Sequence, residues 1–306
     1  MKSKPKIGLA LGSGSSRGWS HIGIIGALAD LGIEPDIICG TSIGSIVGAS
    51  FVAGNLPKLE DWVRSLTKLD TARFFEISSA MNGFVNTKRL HGFLNKCVAG
   101  DDATIESFDK GYAAVSTDLQ TGREVWFTSG PIIEAVWASI SLPGLFPAIR
   151  NDSKWLVDGG LVNPVPVSVS RALGADIVIA VNLNGNIAGK HFEQPEKQLK
   201  KQPNHINKVT DLVTDLVREY TGDLFSSPES EDQPPGLFDA IAGSVNIAQD
   251  RITRSRMAGD PPDILLTPRL AHIGLLEFYR ASEAIEEGRN CVQRMQPEIR
   301  HVMDMA

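Results

Sequence analysis

A chain of 306 residues, 42% hydrophobic and 22% charged, can bury a large core as one domain with a modest extension. Its formal net charge of −6, its pI near 5.6 and the lack of any dense basic block argue against a general nucleic-acid surface, so no nucleic-acid partner is expected. Three widely spaced cysteines, Cys39, Cys97 and Cys291, suggest neither a disulfide framework nor a metal knuckle, and the apolar stretch before Gly12 is too short for a signal-peptide core or a span. Cytoplasmic residence is the expectation, with a peripheral place at the inner membrane left open.

In chain order, Lys6 to Leu11 reads as a buried first strand that ends in Gly12-Ser13-Gly14-Ser15-Ser16-Arg17-Gly18. Trp19 to Leu31 carries apolar residues at helical spacing with Gly23 and Gly26 between them, which predicts a helix lying close on a sheet. Gly32 stops it. A second apolar strand, Asp36 to Cys39, then runs into Gly40-Thr41-Ser42-Ile43-Gly44 and straight into a small-residue helix. A G-x-S-x-G sequence between a strand and a helix is the pattern of a nucleophile elbow. Gly40 and Gly44 remove the side chains that would collide in a sharp turn, and the Ser42 hydroxyl projects above the sheet. The helix start behind it favours negative charge arising next to Ser42.

The first glycine loop fits two familiar nucleotide patterns poorly. A dinucleotide fingerprint needs G-x-G-x-x-G with an acidic residue after the second strand, and a phosphate loop needs G-K-[ST]; here Arg17 stands in the sixth position and Trp19 follows Gly18. Read instead as an arch of backbone N–H groups beside Ser42, it is an oxyanion hole, which gives both glycine loops one task.

Leu56 to Leu69 and Thr87 to Val98 are predicted helices, and Phe84-Val85 between them is a candidate for the wall of an apolar channel. Tyr112–Leu119 and Glu124–Phe127 read as a hairpin, and Ile132 to Ser139 as a helix leading into Leu142-Pro143-Gly144-Leu145-Phe146-Pro147. That loop puts Leu142, Pro143, Leu145 and Phe146 forward as acyl-groove residues. Trp155-Leu156-Val157 is a short strand ending in Asp158-Gly159-Gly160. Asp158 is either a turn residue or the general base that Ser42 needs, with two glycines permitting close approach. None of His21, His91, His191, His205, His272 and His301 has the setting of a triad histidine, so a two-residue Ser–Asp arrangement is favoured. Further on, Ala175–Asn182 and Pro262–Pro268 read as strands and Lys208–Tyr220 and Leu237–Met257 as helices. Segments near 186–206 and 221–236 read as mobile insertions, and a terminal helix ends at Gly288, before a tail over 291–306.

Gly12-Ser-Gly-Ser-Ser-Arg-Gly18, Gly40-Thr-Ser-Ile-Gly44, Ala138-Ser-Ile-Ser-Leu-Pro143 and Asp158-Gly-Gly160 stand in the order in which the patatin-like phospholipase family carries them. The chain resembles that family over about residues 5 to 290, in particular its small bacterial RssA-like branch. The resemblance implies a single domain with a three-layer α/β/α fold around a mostly parallel sheet, distinct from the α/β-hydrolase fold with its catalytic histidine. It implies hydrolysis of lipid or general carboxylic esters without calcium, through a Ser42–Asp158 dyad, and no metal or other cofactor is expected. The lack of a span or a strongly basic amphipathic face suggests a protein that meets a membrane or micelle transiently. The oxyanion hole falls on the loop residues Gly12, Gly14, Ser15, Ser16 and Arg17, with the choice of amides open because Ser13 and Ser15 stand where some relatives have glycine. Arg17 either orients this loop, meets an anionic head group or forms a structural pair. A non-catalytic regulatory protein on the same fold and an acyl-thioesterase are the alternatives. Acyl-chain length, head group and oligomeric state are not set by these residues.

Overall fold

The computed structural model describes residues 4–74, 87–185 and 237–305. The segments expected to be mobile insertions, the Lys208–Tyr220 helix and Phe84-Val85 lie outside them.

An eight-stranded sheet organises the chain. Its centre is β1 (Ile7–Leu11) between β2 (Ile37–Thr41) and β7 (Ile177–Val181), three parallel strands in which every residue is buried. Near-continuous runs such as Ile-Gly-Leu-Ala-Leu and Ile-Val-Ile-Ala-Val belong in such a position, because helices cover both faces of the sheet. β8 (Ile264–Leu266) extends the sheet beyond β7, and β3 (Gly111–Asp118) extends it beyond β2, both in parallel. At β3 the direction changes. β4 (Glu124–Phe127), β6 (Lys154–Asp158) and, beyond it, β5 (Ile149–Asn151) are antiparallel to their neighbours.

One face carries the larger core, built with α1 (Ser20–Asp30), α2 (Ile43–Val52), α3 (Leu56–Ser65), α5 (Thr87–Cys97) and α6 (Ile132–Ile140). The other is covered by α7 (Val167–Ala172) and by Met257 of α8 (Leu237–Gly259), in two small clusters around Ala10, Val178, Cys39 and Val115. This is a three-layer α/β/α arrangement with a mostly parallel sheet.

Two differences from the sequence reading have physical causes. The expected Leu56–Leu69 helix is divided: Leu66 is extended and α4 (Lys68–Phe74) starts afresh. Thr67 accepts the Asp70 N–H at 3.1 Å while Asp70 accepts the Thr67 N–H at 3.1 Å, a capping box legible in Thr67-x-x-Asp70. The 291–306 stretch is no tail, for α9 (Ala281–Met305) runs on through Pro297. Cys291, Val292 and Ile299 are buried at helical spacing, and the helix packs closely on α1. The contact is close because it uses glycines: a Cβ on Gly23 would strike the Ile285 carbonyl and one on Gly288 the Ser20 carbonyl. Trapped between sheet and α9, α1 is apolar on nearly every side.

Among the described residues, no helix is long and apolar enough to cross a membrane.

Candidate active site

Strand register brings the two halves of the site together. Thr41 of β2 is level with Val115 of β3, and Ser116, the next residue of β3, is level with Asp158 of β6. Ser42 and Asp158 therefore sit at one height on either side of β3, at the edge where the parallel strands end. Their side chains meet above β3, the Ser42 Oγ donating to Asp158 Oδ2 at 2.5 Å.

Ser42 occupies the elbow in a left-handed conformation, φ 56° and ψ −123°, a strained region for a residue with a side chain. The surroundings hold it there. Its N–H donates to Ser139 Oγ at 2.9 Å, and its carbonyl accepts from the Ser45 N–H at 2.8 Å and the Ser45 Oγ at 2.6 Å. A Cβ on Gly40 would stand 2.5 Å from the Gly44 carbonyl carbon, and one on Gly44 would meet the Leu11 carbonyl, so the turn tolerates no larger residue at either place.

Asp158 is 1% exposed. Its Oδ1 accepts the Gly160 N–H at 2.7 Å, its own N–H donates to the Ser141 carbonyl at 2.9 Å, and its carbonyl accepts from Thr117 Oγ1 at 2.8 Å. Burial pushes the carboxyl up to about 6, and the hydrogen bonds from Ser42 and Gly160 restrain that rise. A carboxylate poised near neutrality and bonded to a serine hydroxyl can take up and return a proton at physiological pH.

The first glycine loop is committed at most of its amides. Gly12 N–H donates to the Val181 carbonyl at 3.1 Å, Ser13 to that of Pro164 at 2.8 Å, Ser16 to that of Leu275 at 3.3 Å and Arg17 to that of Gly14 at 3.3 Å. Among the described residues, the amides of Gly14 and Ser15 have no acceptor, and both residues border the same cavity as Ser42. Arg17 is turned inward and fully buried, where desolvation lowers its pKa to about 9. Its Nε donates to the Gly14 carbonyl at 3.1 Å, and its Nη2 donates to Asn184 Oδ1 at 3.3 Å and Asn246 Oδ1 at 3.1 Å. Of the roles considered for it, this geometry leaves loop orientation and structural pairing; a guanidinium sealed in the interior does not meet a head group.

Above Ser42 and Asp158 lies a cavity of about 150 Å³. Leu142, Pro143, Leu145 and Phe146 all border it, as the sequence expects, joined by Trp62 and Leu66 from the α3 side, Phe93 of α5 and Phe278. Its polar edge consists of Ser13, Gly14, Asn246 and Gln249. Among the described residues that border it, no lysine, arginine or histidine occurs. His21 is buried with Nε2 2.8 Å from the Gly12 carbonyl, and burial lowers its pKa to about 4, so it is neutral at physiological pH. His91 and His272 face Asp101 and Glu283 at exposed positions. Among the described residues, no cluster of three His, Cys, Asp or Glu is placed to hold a metal ion.

Sequence reasoning missed the groups that hold the pair. Ser139 and Ser141 lie in the recognised Ala138–Pro143 segment, yet nothing in that segment says that one receives the Ser42 N–H and the other the Asp158 N–H. Thr117, Asn184, Asn246 and Gln249 carry no local signal. Thr117 arrives through the register of β3, Asn184 just beyond the end of β7, and Asn246 and Gln249 through the packing of α8.

A serine bonded to a carboxylate in a strand-to-helix elbow, beside two open amides and an apolar cavity, brings together on an α/β/α fold the parts that acyl transfer requires. The family model for patatin-like phospholipases matches residues 9–170, more than half of the chain, which holds both Ser42 and Asp158. An uncharacterised NTE family protein of Mycobacterium tuberculosis (strain H37Rv) is 31% identical over 94% of this chain and 90% of its own length. The lysophospholipase NTE1 of Yarrowia lipolytica is 37% identical over 58% of this chain, which corresponds to 12% of that much longer protein. The chain belongs to the patatin-like phospholipase family. These curated relatives carry the NTE name, and none of these matches singles out the RssA-like branch.

Proposed function

We propose that this protein is a serine acyl hydrolase that cleaves carboxylic esters of single-chain lipids. The observation that carries the reading is the 2.5 Å hydrogen bond from Ser42 to a buried Asp158 at the floor of an apolar cavity. Asp158 Oδ2 takes the proton as Ser42 Oγ attacks the ester carbonyl carbon, and the charge that develops on the carbonyl oxygen is met by the Gly14 and Ser15 amides. Collapse of that intermediate breaks the bond to the alcohol, which leaves with the proton held by Asp158. Water then attacks the acyl-serine with Asp158 again as base, releasing the acid and restoring the serine.

The apolar wall supports a lipid acyl chain, and the lysophospholipase name of one relative supports the same class of substrate. Medium-chain or monoacyl esters are the proposed substrates in preference to triglyceride, with the apolar residues around Phe146 as the acyl wall. Ile241, 51% exposed at the rim, suits transient contact with a micelle or bilayer.

The test is hydrolysis of an acyl series at concentrations below the micelle threshold, as simple esters, lysophospholipids and matched thioesters. Each methylene that enters the cavity contributes roughly 0.8 kcal/mol, or about fourfold in kcat/KM, until the wall is filled. A flat response to chain length contradicts the acyl cavity. Turnover confined to thioesters moves the substrate class, and a folded protein inert toward all of them moves the chain to the non-catalytic reading.

A further inference from the structure

Behind the polar edge of the cavity runs a chain of buried amides whose direction is set by Arg17. A guanidinium has donors only. Arg17 Nη2 therefore obliges Asn184 to present its oxygen, at 3.3 Å, which turns Asn184 Nδ2 the other way, toward Gln249 Oε1 at 2.9 Å. The same Oε1 accepts from Ser13 Oγ at 3.0 Å. With its oxygen engaged twice, Gln249 has its Nε2 left over. Among the described residues this NH₂ group has no acceptor, although Gln249 is only 6% exposed and borders the cavity. The orientation of an amide is ordinarily a matter of assignment, but here it follows from a donor-only group at the start of the chain.

The place of that donor is informative. A Cβ on Gly160 would stand 2.5 Å from Gln249 Nε2 and 3.0 Å from Asp158 Oδ1, so the carboxamide lies beside the carboxylate that must return a proton to the departing alcohol oxygen. The acyl chain lies along the apolar wall and the carbonyl oxygen at Gly14 and Ser15, which leaves the alcohol half of the ester on the Asp158 and Gln249 side.

We propose that Gln249 Nε2 is a substrate-binding donor that reads an oxygen on the alcohol half of the ester, and hence that the preferred alcohol is an uncharged glyceryl-type polyol rather than a plain alkyl group. Since no described cation borders the cavity, the contact favours a hydroxyl oxygen over a phosphodiester. Asn184 acts through Gln249 and is a positioning residue, buried and outside the cavity lining. This inference rests on the hydrolase reading, which places the alcohol half of the ester beside Asp158.

The experiment compares kcat/KM for a 1-monoacylglycerol and for the ethyl ester of the same acid, with the matching lysophosphatidylcholine as a third substrate. It uses wild type, Gln249→Met and Asn184→Asp. In Asn184→Asp one carboxylate oxygen still accepts from Arg17, while the other demands a donor from Gln249 and so draws Nε2 away from the cavity. Both variants are expected to lower the monoacylglycerol-to-ethyl-ester ratio about five- to tenfold, the loss of one buried hydrogen bond, whatever their effect on turnover of the ethyl ester itself. An unchanged ratio overturns the proposal. So does an acid limb that moves while the ratio stays constant, which would assign Gln249 to Asp158 rather than to substrate, and so does a larger effect on lysophosphatidylcholine than on monoacylglycerol. A binding measurement keeps the inference separate from turnover: in a Ser42→Ala background, a 1-O-alkylglycerol should bind more tightly than the 1-alkanol of equal chain length, and Gln249→Met should remove the difference. Equal binding of the two in Ser42→Ala contradicts the donor role even if the protein hydrolyses esters. Failure of Ser42 to react in wild type would contradict the hydrolase reading and leave this comparison to decide the role of Gln249.

Discussion

At the floor of the cavity, Ser42, Asp158 and the Gly12–Arg17 loop stand at the ends of β2, β6 and β1, and backbone hydrogen bonds of 2.7–3.3 Å hold them in place. Along the wall, Trp62, Leu66, Phe93, Leu145, Phe146 and Phe278 come from separate helices and loops and meet through side-chain packing, with Trp62 and Phe93 stacked at 4.1 Å between ring centres. The floor is stiff because neighbouring strands and a strained turn over-determine it. The wall is adjustable because any bulky apolar residue of similar volume fills it. Changes at the floor should therefore reduce rate with all substrates, and changes at the wall should redistribute rate among them.

The largest effects belong to the floor. Ser42→Ala is expected to remove at least about 10³-fold of turnover, and Asp158→Asn about 10²-fold or more, with the fold intact by circular dichroism. Gly14→Val should follow at about 10²-fold in kcat with little change in KM, because the added side chain collides with Leu183, 2.7 Å from its Cβ, and bends the arch that presents the two amides. Wild-type turnover in a folded Gly14→Val protein would place the developing charge elsewhere. Ser139→Ala leaves the Ser42 N–H without its acceptor and should cost about tenfold in turnover and about 1–3 kcal/mol of stability, measured by denaturant titration. At the wall, Phe146→Ala should change total activity less than threefold with a short ester while shifting the preferred chain to longer acids. Equal losses at every chain length would mean that the wall belongs to the floor and would break the comparison.

The smallest expected effect is one of stability. Folding raises the Asp158 carboxyl to about 6, so the folded state holds its proton more tightly than the unfolded chain does, and the ionised group opposes folding. That penalty is absent below the unfolded value near 4, grows as pH rises to about 6, and is complete above it. Asp158→Asn escapes it but can accept from only one of Ser42 and Gly160, so a gain on the order of 1 kcal/mol is expected at pH 8, fading toward pH 4. A variant less stable at pH 8 than at pH 4, relative to wild type, would contradict the burial argument. Gain of stability with loss of turnover at one residue is what a site built against its own folding energy produces.

The two regions also differ in how far they can be read from sequence. Gly40 to Gly44, Gly12 to Gly18 and Asp158-Gly-Gly160 are short because a turn between a strand and its successor is a local event, and each follows an apolar strand. The mostly parallel character of the sheet could be argued from the same alternation of strands and helices. Thr67-x-x-Asp70 carries a capping-box signal that the reading of a single Leu56–Leu69 helix passed over. Ser139, Asn184 and Gln249 were not. Each acts through a partner at least 65 residues away, and a serine, an asparagine or a glutamine within a helix or after a strand looks alike whether or not such a partner exists. The wall residues Leu142 to Phe146 stood out only because prolines and a glycine concentrate them, whereas Trp62, Leu66, Phe93 and Phe278 read as ordinary core.

The central claim is that Ser42 is a nucleophile activated by Asp158. It is tested most directly by the rate at which a fluorophosphonate labels Ser42, followed by intact mass and peptide mapping from pH 4 to 9 in wild type and Asp158→Asn. The account expects a single adduct on Ser42 whose rate falls tenfold per pH unit below about 6, and a labelling rate in Asp158→Asn that is low and has no such limb. A label on another residue, or equal rates in the two proteins at pH 8, would contradict it.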